Sequence, residues 1–306
     1  MANTIRALFF GNSYTFRNDL PEVVKQLAEA GDPELTFEYT KVVYGGRTLE
    51  NHWEQFQSQN ILRLPNLTQA DLEQVCQDLE AGAKKAETLP EPESKDTGRY
   101  RSAVANHRDW MSQLGADAPG WDYVVLQSWR DTEGGVYSGY AIYATMFAEL
   151  VRARGAKVIL YNTGPIFQNA EPLIAAPDNE AALEETRFVA ALGSLLAALV
   201  VPVPLAIVKC QAERPDVVLR YINDGHPNQV CGYLTACLFY AALFGQSPEG
   251  LSVDRVIDPK VVDKNKPDVG PDGDPRECVF SDGMRALLQK IAWETILDFG
   301  AMNRDA

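Results

Sequence analysis

The feature that most constrains this chain is an alternation along its length. Short apolar runs, each stopped by glycine, proline or a polar loop, are followed by stretches with one apolar helical face. "TIRALFF" (4–10) runs without polar alternation up to Gly11, as a strand buried on both faces does. In "NDLPEVVKQLAEAG", Asp19 and Glu22 have the spacing of a capping box. Leu20, Val23, Val24 and Leu27 share a helical face there, and Gly31 supplies a stop. "LTFEYTKVVYGG" (35–46) alternates as a strand and ends on a glycine pair. The rhythm resumes with strands over 121–127, 156–165 and 200–205 and helices over 137–155, 179–199 and 228–245. A Pro/Asp/Gly-rich connection (258–275) leads to a last helix over about 281–299. Repeated strand–helix units predict an α/β fold: a three-layer α/β/α arrangement around a central parallel sheet.

Residues 49–120 break the rhythm. They are polar, helix-prone and rich in Gln and Glu, and "ETLPEPESKDTG" (87–98) reads as an exposed loop. We expect one domain spanning 1–306, with a helical insertion at about 49–120 that folds over one face and a C-terminal extension at about 250–306.

Composition narrows the function. A formal net charge of −14 and a pI near 4.7 repel phosphate backbones, and no basic cluster interrupts that field, so nucleic acid is not an expected partner. The five cysteines are scattered without CxxC spacing, which argues against a zinc site or a disulfide framework. No apolar run approaches the roughly 18 residues of a membrane span. "MANTIRALFFGNS" lacks the apolar region and cleavage site of a signal peptide, so the expected location is cytoplasmic, with export of a trimmed form left open.

In parallel sheets of this kind, ligands bind outside the carboxyl ends of the strands. Ser13, Gly45, Gly46 and Gln127 all fall at such ends. A serine hydroxyl is a weak nucleophile that needs a base within hydrogen-bond reach and donors for the oxyanion it creates. Of the three histidines, His226 sits in "YINDGHPNQVCGYL", a loop entering an apolar helix, where Asp224 or Asn223 can orient its ring. His52, in "LENHWEQF", reads as structural, and His107, in the insertion, as exposed. Tyr14, Trp53 and Trp129 have the chemistry to stack on a sugar ring, although core packing is the commoner use of such residues.

Four blocks, "FFGNSYT", "VVYGGRTLENHW", "WDYVVLQS" and "DGHPNQVCGYLTACLFYAALFG", occur in this order over roughly residues 5–245. Together they resemble the SGNH/GDSL hydrolase superfamily, and most closely a bacterial branch known mainly as domains of unknown function. The resemblance implies a flavodoxin-like α/β/α fold, with Ser13 as nucleophile and His226 as general base. It also implies that the backbone N–H groups of Ser13 and of Gly45 or Gly46 are oxyanion donors. This sequence departs from the pattern twice. The third block lacks the Gly-x-Asn-Asp motif whose Asn donates to the oxyanion, which leaves Gln127 as a substitute amide. The acid is usually three residues before the histidine, where Asn223 stands; Asp224 lies two before. Either Asp224 takes over, or the site runs as a Ser-His dyad.

The expected activity is therefore hydrolysis of a small acyl ester, such as acetyl on a carbohydrate, through an acyl-enzyme, with no metal and no cofactor. Acyl transfer on the same residues and ligand holding by a catalytically weak scaffold are the alternatives. A flavodoxin-like phosphate cradle is a remoter one, because the first loop has a single glycine and no run of Ser/Thr donors.

Overall fold

The computed structural model describes residues 3–115, 118–128, 132 and 135–302; Trp129 lies outside them. Five strands form one parallel sheet: β1 (Asn3–Gly11), β2 (Leu35–Val43), β3 (Tyr123–Gln127), β4 (Lys157–Asn162) and β5 (Leu199–Pro202), in the order β2-β1-β3-β4-β5. β1 pairs with β2 from Asn3↔Leu35 to Gly11↔Val43, and with β3 from Ala7↔Tyr123 to Phe10↔Leu126. The chain thus leaves β1 to one side for β2 and returns on the other side for β3. The carboxyl ends of β1 and β3 flank the point where the strand order reverses, the usual crevice of such sheets.

The apolar runs are unbroken because both faces are covered. Phe9 and Phe10 are adjacent and both essentially inaccessible to solvent, yet they serve different cores. Ala7, Phe9, Val125, Ile159 and Val201 point to one side, and Leu8, Phe10, Val124, Leu126 and Leu160 to the other. Each buried phenylalanine contributes about 1.5–3 kcal/mol relative to exposure.

On the Phe9 side lie α2 (Leu20–Gly31), α8 (Val203–Glu213), α9 (Gln229–Phe244) and α10 (Asp282–Met302). α9 is nearly all apolar because α2, α10 and the sheet all pack on it, with the Phe239 ring 6.0 Å from Phe9 and 5.2 Å from Tyr161. Gly245 stops it in the left-handed region at φ 61°. The other side holds α6 (Gly139–Ala153), α7 (Asn179–Leu195) and helices from the 49–120 segment, including α4 (Gln69–Glu87) and α5 (Asp96–Met111). α4 starts on a capping box: Asp71 N–H donates to Thr68 Oγ1 (3.2 Å) and Thr68 N–H to Asp71 Oδ2 (2.8 Å).

Four local expectations are corrected. Asp19 does not cap α2: it is left-handed, at φ 43°, and its carboxylate takes the Lys41 ammonium at 2.7 Å. Gly31 is the last residue of that helix and not the residue beyond it, and a Cβ there would meet Tyr240 Oη at 2.3 Å. The apolar run after Leu199 is strand only to Pro202; α8 begins at Val203, with Pro204 at its start, where a missing N–H leaves no bond unmade. His107 is buried, its Nδ1 2.8 Å from the Ala103 carbonyl oxygen and its Nε2 3.2 Å from that of Gln57. The Pro/Asp/Gly-rich connection spans a small antiparallel hairpin, β6 (Arg255–Ile257) with β7 (Glu277–Val279).

Candidate functional site

At the carboxyl end of β1 the chain turns sharply. Asn12 caps the short helix α1 (Ser13–Phe16), its Oδ1 accepting from Tyr14 N–H at 3.0 Å. This places Ser13 at the first helical position, half-buried over the crevice. Gly11 must be glycine, because a Cβ would fall 2.3 Å from Thr15 Oγ1 and 2.5 Å from Gln127 Oε1. Its carbonyl accepts from Tyr44 N–H (3.1 Å) and from His52 Nε2 (2.8 Å). A carbonyl can only accept, so His52 carries its proton on Nε2, and Nδ1 takes the Ser58 hydroxyl at 3.1 Å. Complete burial holds the His52 pKa down to about 4, and the ring is a neutral brace.

His226 reaches Ser13 across the crevice. Its Nε2 lies 2.8 Å from Ser13 Oγ, and its Nδ1 is hydrogen-bonded to Asp224 Oδ1. A carboxylate on Nδ1 keeps the proton there and leaves the Nε2 lone pair facing the hydroxyl. The Tyr14 ring lies 5.8 Å from the imidazole, and its hydroxyl donates to the Gly225 carbonyl at 3.2 Å. Asn223 is turned elsewhere: its N–H donates to Asp272 Oδ1 at 2.8 Å, beside Ile222 N–H on Oδ2 at 2.8 Å. Between the two candidate orienting groups, the structure brings Asp224 to the ring.

Behind Asp224 stands Arg17. Its Nη1 donates to Asp224 Oδ2 at 2.7 Å, and its Nη2 and Nε donate to Asp258 Oδ2 at 2.6 and 2.8 Å. The Arg17 and Asp258 side chains are 2% and 0% exposed, so this pair is sealed from water. Tyr221 Oη donates to the same carboxylate at 3.0 Å, and its ring lies 5.0 Å from the guanidinium. Burial works to raise the Asp224 pKa, but His226 and Arg17 together outweigh it and hold the carboxyl below its usual range.

Gly45 and Gly46 form a turn closed by Arg47 N–H on the Tyr44 carbonyl at 3.2 Å, with Gly46 at φ 68°. Asn12 Nδ2 ties this turn to the serine loop through the Arg47 carbonyl at 2.8 Å. Arg99, from the first turn of α5, donates to the Gly45 carbonyl at 2.8 Å and to Asp96 at 2.9 Å, and Asp96 also pairs with Arg47. Among the described residues, the N–H groups of Ser13, Gly45 and Gly46 have no acceptor, and a Cβ on either glycine would meet open space.

Gln127 is brought to the site, but with the wrong polarity for an oxyanion donor. Its Oε1 accepts from Asn12 N–H (2.8 Å) and Thr15 Oγ1 (3.0 Å), and its Nε2 donates to the Ser128 carbonyl. A backbone N–H can only donate and a carbonyl can only accept, so the amide cannot be flipped. Fully buried, Gln127 braces the serine loop from below. Trp53 packs edge-on against Phe147, 5.1 Å between rings, as part of the core.

Sequence reasoning missed Arg17, Asp258, Asp96 and Arg99. Arg17 and Asp258 stand 241 residues apart and share no motif, so nothing local signals their pairing.

No family profile matches the chain, and no curated protein matches it. Two solved structures are similar to it. One is a protein from Slackia heliotrinireducens described as a candidate SGNH hydrolase. It has 19% identity and a TM-score of 0.43, with 79% of this chain and 100% of the other covered. The second is the crystal structure of a DUF4886 family protein from Bacteroides uniformis, with 14% identity and a TM-score of 0.48 over 96% of this chain and 95% of the other.

Proposed function

We propose that this protein is a serine hydrolase that cleaves a small acyl ester through an acyl-enzyme. The observation that carries this reading is the 2.8 Å contact between Ser13 Oγ and His226 Nε2, with Asp224 on the far ring nitrogen. In the proposed cycle, Ser13 Oγ attacks the acyl carbonyl carbon as its proton passes to His226 Nε2. The carbonyl oxygen becomes negative where the N–H groups of Ser13 and of a glycine from the 45–46 turn lack acceptors. Asp224 stays ionised and stabilises the imidazolium. The tetrahedral intermediate then collapses; the C–O bond to the alcohol breaks, and His226 returns the proton to the departing oxygen. Water, losing a proton to His226, attacks the acyl-enzyme, and collapse releases the carboxylic acid and restores Ser13. The substrate class we favour is a small acyl ester, such as acetyl on a carbohydrate.

The test is direct. The expected result is that wild-type protein hydrolyses p-nitrophenyl acetate and that a fluorophosphonate probe labels Ser13, as mapped by mass spectrometry. Ser13→Ala removes both; where such a trio acts as a unit the loss reaches about 10⁶-fold in kcat. Unchanged turnover in a folded Ser13→Ala sample overturns the nucleophile assignment. Failure of folded wild-type protein to label or turn over favours a ligand-holding scaffold instead.

A further inference from the structure

The residues behind the acid form a chain that the proposed mechanism does not use: Asp224, Arg17, Asp258, Tyr221. Arg17 lies four positions after Ser13 on the same segment, separated from it only by the rest of α1. Its guanidinium is the sole bridge among the described residues between Asp224 and the buried Asp258. Asp258 follows β6 directly and is fastened on every side. Besides Arg17 and Tyr221, Lys260 N–H donates to its Oδ1 at 3.1 Å, and its own carbonyl accepts from Arg276 Nη1 at 3.0 Å. A carboxylate held this firmly is a fixed anchor. The fork of the guanidinium transmits that fixity, because planar N–H donors reach both carboxylates at defined angles.

Resting on the hydrolase reading, we propose that Arg17, anchored by Asp258, is a positioning residue that fixes the Asp224 carboxylate against His226. It keeps that carboxylate from swinging to solvent and from drawing the imidazole proton. Charge counting fits this role. Among the described residues, the Asp224 and Asp258 carboxylates share one paired cation at rest, Arg17, and His226 adds a second on Asp224 when it becomes imidazolium. Among the described residues, the groups facing His226 are Ser13, Asp224 and the Tyr14 ring, with Arg17 behind Asp224, and Asp258 and Tyr221 behind Arg17.

Removing Arg17 alone strands a buried carboxylate, so the informative variant is Arg17→Met combined with Asp258→Asn, whose amide oxygen still accepts from Lys260 N–H while its Nδ2 offers Tyr221 Oη a donor in place of an acceptor. Three quantities are followed on folded protein: kcat and KM for p-nitrophenyl acetate, the acid limb of the kcat/KM–pH profile, and the downfield proton resonance of His226 Nδ1–H. We expect kcat to fall about 10- to 100-fold with KM nearly unchanged, as for an interaction expressed in the transition state. The acid limb moves, because the carboxylate that faces the imidazolium is no longer held in place. The Nδ1–H resonance broadens or shifts. Arg17→Lys, which keeps the charge but not the fork, recovers part of each effect. A folded double variant with wild-type kcat, acid limb and resonance overturns the proposal. If the double variant does not fold, Arg17→Lys decides, and wild-type values there overturn it too. Should wild-type protein prove inert toward esters and probe alike, the hydrolase reading falls. The resonance then judges the positioning claim by itself: moved in the Arg17 variants it stands, unmoved it falls.

Discussion

Gly11 shows how tightly the site is specified at the level of single residues. Its missing side chain lets Gln127 Oε1 approach the serine loop while His52 and Tyr44 hold its carbonyl. Gly11→Ala forces Thr15 or Gln127 aside. We expect a loss of about 1–3 kcal/mol of stability, read by urea denaturation, together with a drop in the proposed esterase activity as Ser13 is displaced. The polarity of Gln127 carries a second lesson. With its amide turned downward, the proposed oxyanion contacts come from backbone N–H groups. An absent third donor typically costs about 3–4 kcal/mol of transition-state stabilisation. A modest turnover number on simple esters is therefore the expected behaviour of this site.

Among the elements, α5 has a task beyond packing. Its first turn supplies Asp96 and Arg99, which grip Arg47 and the Gly45 carbonyl and so set the direction of the 45–46 N–H groups. Arg99→Ala releases the Gly45 carbonyl while leaving the Asp96–Arg47 pair. We expect kcat to fall about tenfold, a fraction of the 10²–10³ that a lost donor costs, with little change in melting temperature. How legible such elements are in the sequence depends on the range of their causes. β1, β2, β3 and α9 are written locally, in apolar runs with a stop residue, and so are Ser13 and the loop that carries His226. α8 is not, because "VPLAIVKCQAE" continues an apolar strand without a break and only tertiary packing decides where the helix starts. The Asp19–Glu22 spacing misleads for the same reason: Lys41, from the neighbouring strand, competes successfully for the Asp19 carboxylate. The polarity of Gln127 and the partners of Arg17 depend on groups more than a hundred residues away, which no spacing rule reaches.

At the scale of the whole molecule, acid sensitivity follows from buried histidines. In the unfolded chain His52 titrates near 6.5, whereas in the fold its pKa is held to about 4. Above pH 6.5 both states are neutral and the ring adds no pH dependence. As pH falls from about 6.5 to 4, only the unfolded state takes up the proton, and about 3 kcal/mol of stability is lost. Burial lowers the His107 pKa too, which adds to the same slope. Asp96 and Asp224, whose pKa values are lowered, hold their contribution above the unfolded carboxylate value near 3.9 and lose it as pH falls through their folded values. Urea denaturation at pH 7.5 and 4.5 reads this difference, and His52→Gln should flatten part of it. Equal stability at both pH values in wild-type protein rules the account out.

The Arg17–Asp258 pair also sets an order of events during synthesis. A nascent chain that ends at residue 225 contains the serine but no His226, and one that ends at residue 257 still lacks Asp258, the buried partner of Arg17. The central strand β1 is made first, yet the contact that seals its end is among the most distant in the chain, the kind that forms slowly. While the chain grows on the ribosome, Ser13 is therefore without His226, and this end of the sheet cannot close until Asp258 has been made.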